Sequence, residues 1–91
     1  MNKTDNQDTL LEFPCDYPVK AFGNNAPGFP AHVRTVVEKI VGPVDGDRVL
    51  GRPSKGNRYL AVTVHFEATS KAQVDAVYLA LSADDKVVMT L

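Results

Sequence analysis

Cysteine is almost absent from this chain, since Cys15 is the only one among 91 residues. A single thiol cannot form an internal disulfide or a multi-cysteine zinc site. With no histidine or lysine close to it in sequence, Cys15 is predicted to be a partly buried small residue rather than a reactive thiol. His32 and His65, the only histidines, have no carboxylate or thiolate at ligand spacing. We therefore expect no metal site and no cofactor.

Long apolar runs and a strong net charge are also missing. No run approaches the roughly 18 apolar residues that would span a membrane, and the opening "MNKTDNQDTL" lacks the apolar centre of a signal peptide. These absences predict a cytoplasmic protein with no membrane partner. A net charge of −1 is poor support for general nucleic-acid affinity.

Catalytic signatures are missing as well. We find no Ser/His/Asp order, no nucleophile elbow and no paired carboxylates in an apolar setting. A chain of 91 residues suits one domain and leaves little interior for a deep active site. The prediction is a protein that is not an enzyme, with a disordered polar tail at 1–9 and a single domain at 10–91.

The first half of that domain reads as a strand followed by a helix. "YPVKAFG", at 17–23, has the alternation of a strand, and the turn-rich "GNNAPG" follows it. Prolines are tolerated in a first helical turn, so a helix is predicted to start between Ala26 and Pro30. It should end at Gly42. Its apolar stripe comprises Phe29, Val33, Val36, Val37, Ile40 and Val41.

The second half predicts two strands, a helix and a last strand. Residues 48–53 form a short strand, and the next strand alternates clearly from residue 59 to residue 68. Ser70 and Gln73 form a capping box that opens the second helix. "KVVMTL" closes the chain as a strand. The predicted core face of the long strand comprises Leu60, Val62, Val64, Phe66 and Ala68.

The resulting order, βαββαβ, predicts an α+β, ferredoxin-like sandwich with a four-stranded antiparallel sheet. Each helix has one apolar stripe, so both helices should cover the same face of the sheet. The opposite face is then left open. We expect Tyr59, Thr63 and His65 on that open face, joined by Lys20 and Phe22 if their neighbours point inward.

The pieces "LLEFP", "VKAFG" and "PSKGNRY" complete a pattern that resembles the YbeD-like family from residue 10 to residue 91. These are small bacterial proteins whose fold looks like the ACT-type regulatory domain. The resemblance implies regulation through binding of a small molecule or a protein, although the enzyme that ACT domains usually control is not attached here. It also implies effector contacts in the loop at 23–28, which makes Asn24 and Asn25 candidates. Their alternative role is helix entry and turn chemistry.

The stretch "PSKGNRY" raises a question about the hairpin between the two middle strands. A phosphate-binding P-loop needs Gly, four residues, then Gly-Lys-Ser/Thr running into a helix, whereas here the glycine follows Lys55 and a strand comes next. A tight turn built on Gly56-Asn57 is the simpler interpretation. Five basic residues nevertheless fall between 48 and 66 with no acid among them, which predicts a site for an anion or acidic partner unless the charges are merely solvated. They are Arg48, Arg52, Lys55, Arg58 and His65.

The open face and this basic hairpin together predict a non-catalytic regulatory or binding domain. Its partner would be an unidentified protein, a small anionic ligand or a second subunit in a homodimer. The alternative is an RNA-binding module, because RNA-recognition motifs share this element order. Lys55, Gly56 and Tyr59 fit the third-strand pattern of such motifs, but Asn57 and Arg58 replace a ring and a small residue. Nucleic acid is therefore the less favoured partner.

Overall fold

The structure, a computed structural model, describes residues 12–91, and the tail predicted at 1–9 lies outside them. Its strands are β1 (Cys15–Asn24), β2 (Val49–Pro53), β3 (Tyr59–Ala68) and β4 (Met89–Thr90). Its helices are α1 (Phe29–Val41) and α2 (Lys71–Ser82). A 3-10 turn, Gly46–Arg48, leads into β2. Within the described range, no helix has the length and apolar character needed to cross a membrane.

The sheet confirms the predicted βαββαβ ferredoxin-like fold. All pairings are antiparallel, in the spatial order β2-β3-β1-β4. The long central strands β1 and β3 pair along their whole length, from Cys15 opposite Ala68 to Asn24 opposite Tyr59. β2 and β4 therefore form the two edges of the sheet.

The core lies between one face of the sheet and both helices. Alternate residues of β1 and β3 point inward, because successive side chains of a strand project to opposite faces. Val19 and Ala21 are buried. Their neighbours Lys20 and Phe22 therefore point to the open face, as expected. All five residues of the predicted core face of β3 are buried. The helices contribute Phe29, Val33, Val36, Val37, Val74, Val77 and Leu81.

The predicted elements differ from the observed ones mainly at their ends. Ile40 was expected in the apolar stripe of α1 but is 36% exposed. Residue 48 belongs to the 3-10 turn rather than to β2. The last strand covers only Met89–Thr90, although Leu91 still donates its N–H to the carbonyl oxygen of Lys20 at 2.8 Å.

The capping box that opens α2 forms with a small shift. The Ser70 side chain accepts a hydrogen bond from the Gln73 N–H at 3.1 Å, as this motif requires. The Gln73 side chain accepts from the N–H of Thr69 at 2.8 Å, one residue before the expected donor. Two N–H groups at the start of the helix are thus satisfied.

Gly23 allows α1 to pack closely against β1. A Cβ atom at this position would lie 2.4 Å from Cζ of Phe29 and 2.5 Å from the carbonyl oxygen of Lys86. Both distances are far shorter than a van der Waals contact between such atoms. The Phe29 ring therefore occupies the space that any other residue at position 23 would need.

Candidate functional site

The side of the sheet away from the helices carries most of the residues that we expected to bind a partner. The register places Arg52 opposite Ala61, Ala61 opposite Phe22, and Phe22 opposite Met89. One row of side chains thus crosses all four strands on the open face. A cavity of about 230 Å³, which we call the open-face groove, lies along part of this row. It is lined by Lys20, Phe22, Arg52, Pro53, Ser54, Tyr59 and Ala61.

The open-face groove combines an apolar floor with a cationic rim. Phe22 and Ala61 are half-buried and form part of the floor. Lys20 and Arg52 line the groove, and neither makes an ion pair with any residue in the range 12–91. The guanidinium of Arg58 lies 5.5 Å from the centre of the Tyr59 ring, in a cation–π arrangement that helps to hold that ring. Such a groove suits a group that is negatively charged at one end and apolar at the other.

The hairpin beside the groove is a tight turn, as its glycine suggested. Gly56 and Asn57 have positive φ angles of 87° and 61°. The N–H of Asn57 donates to the Ser54 carbonyl oxygen at 2.8 Å, and the N–H of Tyr59 donates to Ser54 Oγ at 3.0 Å. These amides are satisfied within the hairpin, so they are not presented together to a phosphate. Lys55 is exposed at the turn.

At the other end of the open face, Asp16 contacts two of the five basic residues. Its carboxylate accepts a hydrogen bond from the Arg48 guanidinium and lies 3.1 Å from Nδ1 of His65. No acid lies between residues 48 and 66 in the sequence, but β1 places Asp16 beside two of the five basic residues. His65 lies on the open face as predicted, but it does not line the groove.

Asn24 and Asn25 do not line the open-face groove, although Asn24 pairs with Tyr59 in the sheet. Asn25 donates its side-chain N–H to the Asn57 carbonyl oxygen at 3.0 Å and its backbone N–H to the Arg58 carbonyl oxygen at 3.0 Å. These bonds tie the loop after β1 to the hairpin, which is turn chemistry. Asn24 borders a second cavity of about 350 Å³ near the start of α1. Its other lining residues are Ala26, Pro27, Gly28, Phe29, His32, Asp85, Lys86 and Val88.

A hydrogen bond between His32 and Asp84 beside this second cavity had no signal in the sequence. His32 Nε2 lies 2.8 Å from Asp84 Oδ2, and the two residues are 52 positions apart. The hydrogen bond from His32 is the main cause that holds the pKa of Asp84 below its ordinary value of 3.8, and the N–H of Lys86 adds to it. Asp84, which follows α2, thus links the end of that helix to α1.

The lowered pKa of Asp84 predicts a stability contribution that depends on pH. Because the pKa of Asp84 in the folded protein lies below its ordinary value, the ionised carboxylate stabilises the fold fully above pH 3.8. This stabilisation is lost as the pH falls through the lowered pKa. Asp84→Asn should reduce the free energy of unfolding by about 0.5–1 kcal/mol near neutral pH. Urea unfolding at a series of pH values should show this difference shrinking below pH 4 or so. The matched control is Asp85→Asn, a substitution at the exposed neighbour, and an equal effect from it would contradict the prediction.

The sequence is similar to a described family along almost its whole length. The profile of the family "Protein of unknown function (DUF493)" matches residues 8–91. The chain belongs to this family. A UPF0250 protein of Paraburkholderia phytofirmans is 42% identical over 84 residues, which cover 92% of this chain and 94% of the relative. The UPF0250 protein NE1487 of Nitrosomonas europaea is 34% identical, over 93% of this chain and 98% of its own.

A solved structure supports the fold of this DUF493 chain. The solution structure of protein HP0495 from H. pylori matches with a TM-score of 0.75, covering 100% of this chain and 96% of that one. At 17% identity, the match supports the fold alone. The resemblance to the YbeD-like family is confirmed together with its ferredoxin-like fold.

Proposed function

We propose that this DUF493 protein is a non-catalytic regulatory module of the cytoplasm that binds an anionic partner in the open-face groove. One observation carries the proposal: Lys20 and Arg52 line the same groove as the apolar Phe22 and Ala61, and neither forms an ion pair within residues 12–91. A charge-assisted hydrogen bond from either residue to a carboxylate or phosphate would be stronger than a neutral one. The apolar part of the same molecule would contact Phe22 and Ala61.

The size of the groove limits what it can enclose. At about 230 Å³ it is smaller than the roughly 300–1,000 Å³ typical of sites for drug-sized ligands. We therefore expect it to hold a small organic acid or the acidic end of a larger partner. The groove also favours binding over catalysis, because the Ser54 hydroxyl accepts a hydrogen bond from the N–H of Tyr59 at 3.0 Å and no histidine or carboxylate among the described residues lines the groove to activate it.

The proposal predicts that removing either groove cation weakens binding. Thermal-shift screening against organic acids, amino acids and nucleotides would first identify a ligand, since a molecule that binds only the folded state raises Tm. Lys20→Gln and Arg52→Gln should each then weaken its affinity about three- to tenfold, as measured by calorimetry. Lys39→Gln removes the same charge from the last turn of α1, away from the groove, and serves as the matched control.

Two outcomes would contradict the proposal. One is a ligand whose affinity changes equally in all three variants, because the groove would then not be its site. The other is a screen in which no anion raises Tm.

RNA binding is the second candidate, favoured by two rings on the central strands. Phe22 on β1 and Tyr59 on β3 both lie on the open face, where RNA-recognition motifs stack bases. A gel-shift assay with mixed short RNAs distinguishes this candidate from the first. Micromolar binding that falls steeply with salt and is abolished by Tyr59→Ala would replace the regulatory proposal.

A further inference from the structure

The β2 strand leaves one edge of the sheet unpaired within residues 12–91. It pairs only with β3 and stands at the end of the strand order. Alternate residues of such a strand direct their N–H and C=O groups away from the partner strand. Val49 is half-buried and the remaining residues of β2 are exposed. The outer edge of β2 is therefore accessible to another extended chain.

On the helix side of this edge lies an arginine with unused hydrogen-bonding capacity. A cavity of about 220 Å³ beside the start of β2 is lined by Pro30, Ala31, Arg34, Gly46 and Val49. The Arg34 side chain is 40% exposed, but its Nε is buried at 3.5 Å from Glu38 and has no hydrogen-bond partner in the described part of the chain. The same Glu38 oxygen already accepts a hydrogen bond from the N–H of Val44 at 2.7 Å. A second carboxylate would therefore bind the terminal guanidinium nitrogens of this partly exposed side chain and not its buried Nε.

On the open side of the same edge lie an apolar residue and another arginine. Leu50 is 57% exposed, and Arg52 is exposed without an ion pair among the described residues. Between them, Gly51 has no side chain to fill the helix side of the strand. Val49, which lines the same cavity as Arg34, precedes Arg52 by three residues. This separation corresponds to about 10 Å along a strand. An odd spacing places the two arginines on opposite faces of the edge.

We propose that β2 takes up an extended acidic segment of another protein as a fifth strand. The segment would have the core pattern acidic, apolar, apolar, acidic. One acidic side chain would bind Arg34 on the helix side and the other Arg52 on the open side, while the two apolar side chains contact Leu50 and the space over Gly51. This is recognition by strand addition, in which backbone hydrogen bonds provide affinity and alternate side chains provide specificity.

The pattern reads the same in both directions, so it applies to a parallel and to an antiparallel added strand. The inference goes beyond the open-face groove. Arg52 borders both sites, but Arg34 belongs to the β2 edge alone. A substitution of Arg34 therefore tests the edge without altering the groove.

NMR titration of the full ¹⁵N-labelled chain with an end-blocked peptide containing Glu-Val-Val-Glu tests this inference. We expect the outward amides of β2 to shift and to gain protection from hydrogen exchange. Arg34→Gln and Arg52→Gln should each weaken peptide affinity about two- to fivefold, whereas Arg34→Lys should keep most of it. Lys39→Gln should leave affinity unchanged, and a Lys-Val-Val-Lys peptide should bind at least about tenfold more weakly.

Each other outcome would overturn the inference. No binding would do so, as would binding that shifts only groove residues or is unchanged in Arg34→Gln. Protection of the β2 amides that rises with protein concentration alone would show a second copy of this chain as the occupant. Spectra of each free variant, compared with those of the parent, establish that the fold is retained.

Discussion

Gly23→Ala is expected to lower the free energy of unfolding by about 3 kcal/mol, the upper part of the range for overpacking a core. The added Cβ would lie 2.4 Å from a ring carbon of Phe29, which is only 4% exposed and packed in the core. The carbonyl oxygen of Lys86 at 2.5 Å blocks a shift in the other direction. For a domain of this size, the fall in Tm should exceed about 10 °C.

Gly51→Ala is the matched control for this prediction. It places the same methyl group on a strand of the same sheet, where the nearest atom is a Leu60 side-chain carbon at 3.6 Å. That is an ordinary contact, so the free energy of unfolding should change by less than about 0.5 kcal/mol. Urea unfolding followed by circular dichroism measures both variants. Equal stability of the two would show that Phe29 and the chain around Lys86 adjust without cost.

Leu81→Ala is expected to cost about 3 kcal/mol, within the range measured for buried leucines. Leu81 is 0% exposed in the last turn of α2, where it packs into the core against the sheet. Truncation removes apolar contacts and leaves a cavity that the surrounding valines fill only in part. The loss is a large fraction of the total stability of a small domain.

Leu79→Ala makes the same chemical change two residues earlier in α2. Leu79 is 72% exposed, so its truncation should change the free energy of unfolding by less than about 0.5 kcal/mol. Chemical unfolding of the two variants side by side separates loss of packing from loss of a helix residue. A large effect at Leu79 would mean that this side chain is covered in solution, for instance by a partner or a second copy.

The fold could be predicted from the sequence because its central strand has a clean two-residue period. In β3 the residues from Leu60 to Ala68 alternate between buried and less buried without a break. That pattern, placed between two amphipathic helices, is compatible with few arrangements other than a two-layer sandwich. Periodicity carries less information at element ends. It placed Ile40 in the core, although this residue is 36% exposed while the next one, Val41, packs against the core.

The open-face groove was partly predictable for the same reason. Once Val19 and Ala21 were assigned to the core, Lys20 and Phe22 had to face the other way, beside Tyr59 and its strand. Contacts between distant residues could not be predicted. Asp16 lies beside His65 and Arg48 only because β1 and β3 pair in a particular register, and no local pattern announces that register.

The short strand β4 connects the last residues of the chain to the part of β1 that lines the groove. Val88 donates to the carbonyl oxygen of Phe22 at 2.7 Å, and Lys20 and Leu91 exchange two backbone hydrogen bonds. The final residues are thus anchored to the same stretch of β1 that supplies the groove with its lysine and one of its rings. Under the binding proposed for the groove, a ligand there should therefore also reduce fraying of the carboxyl-terminal segment.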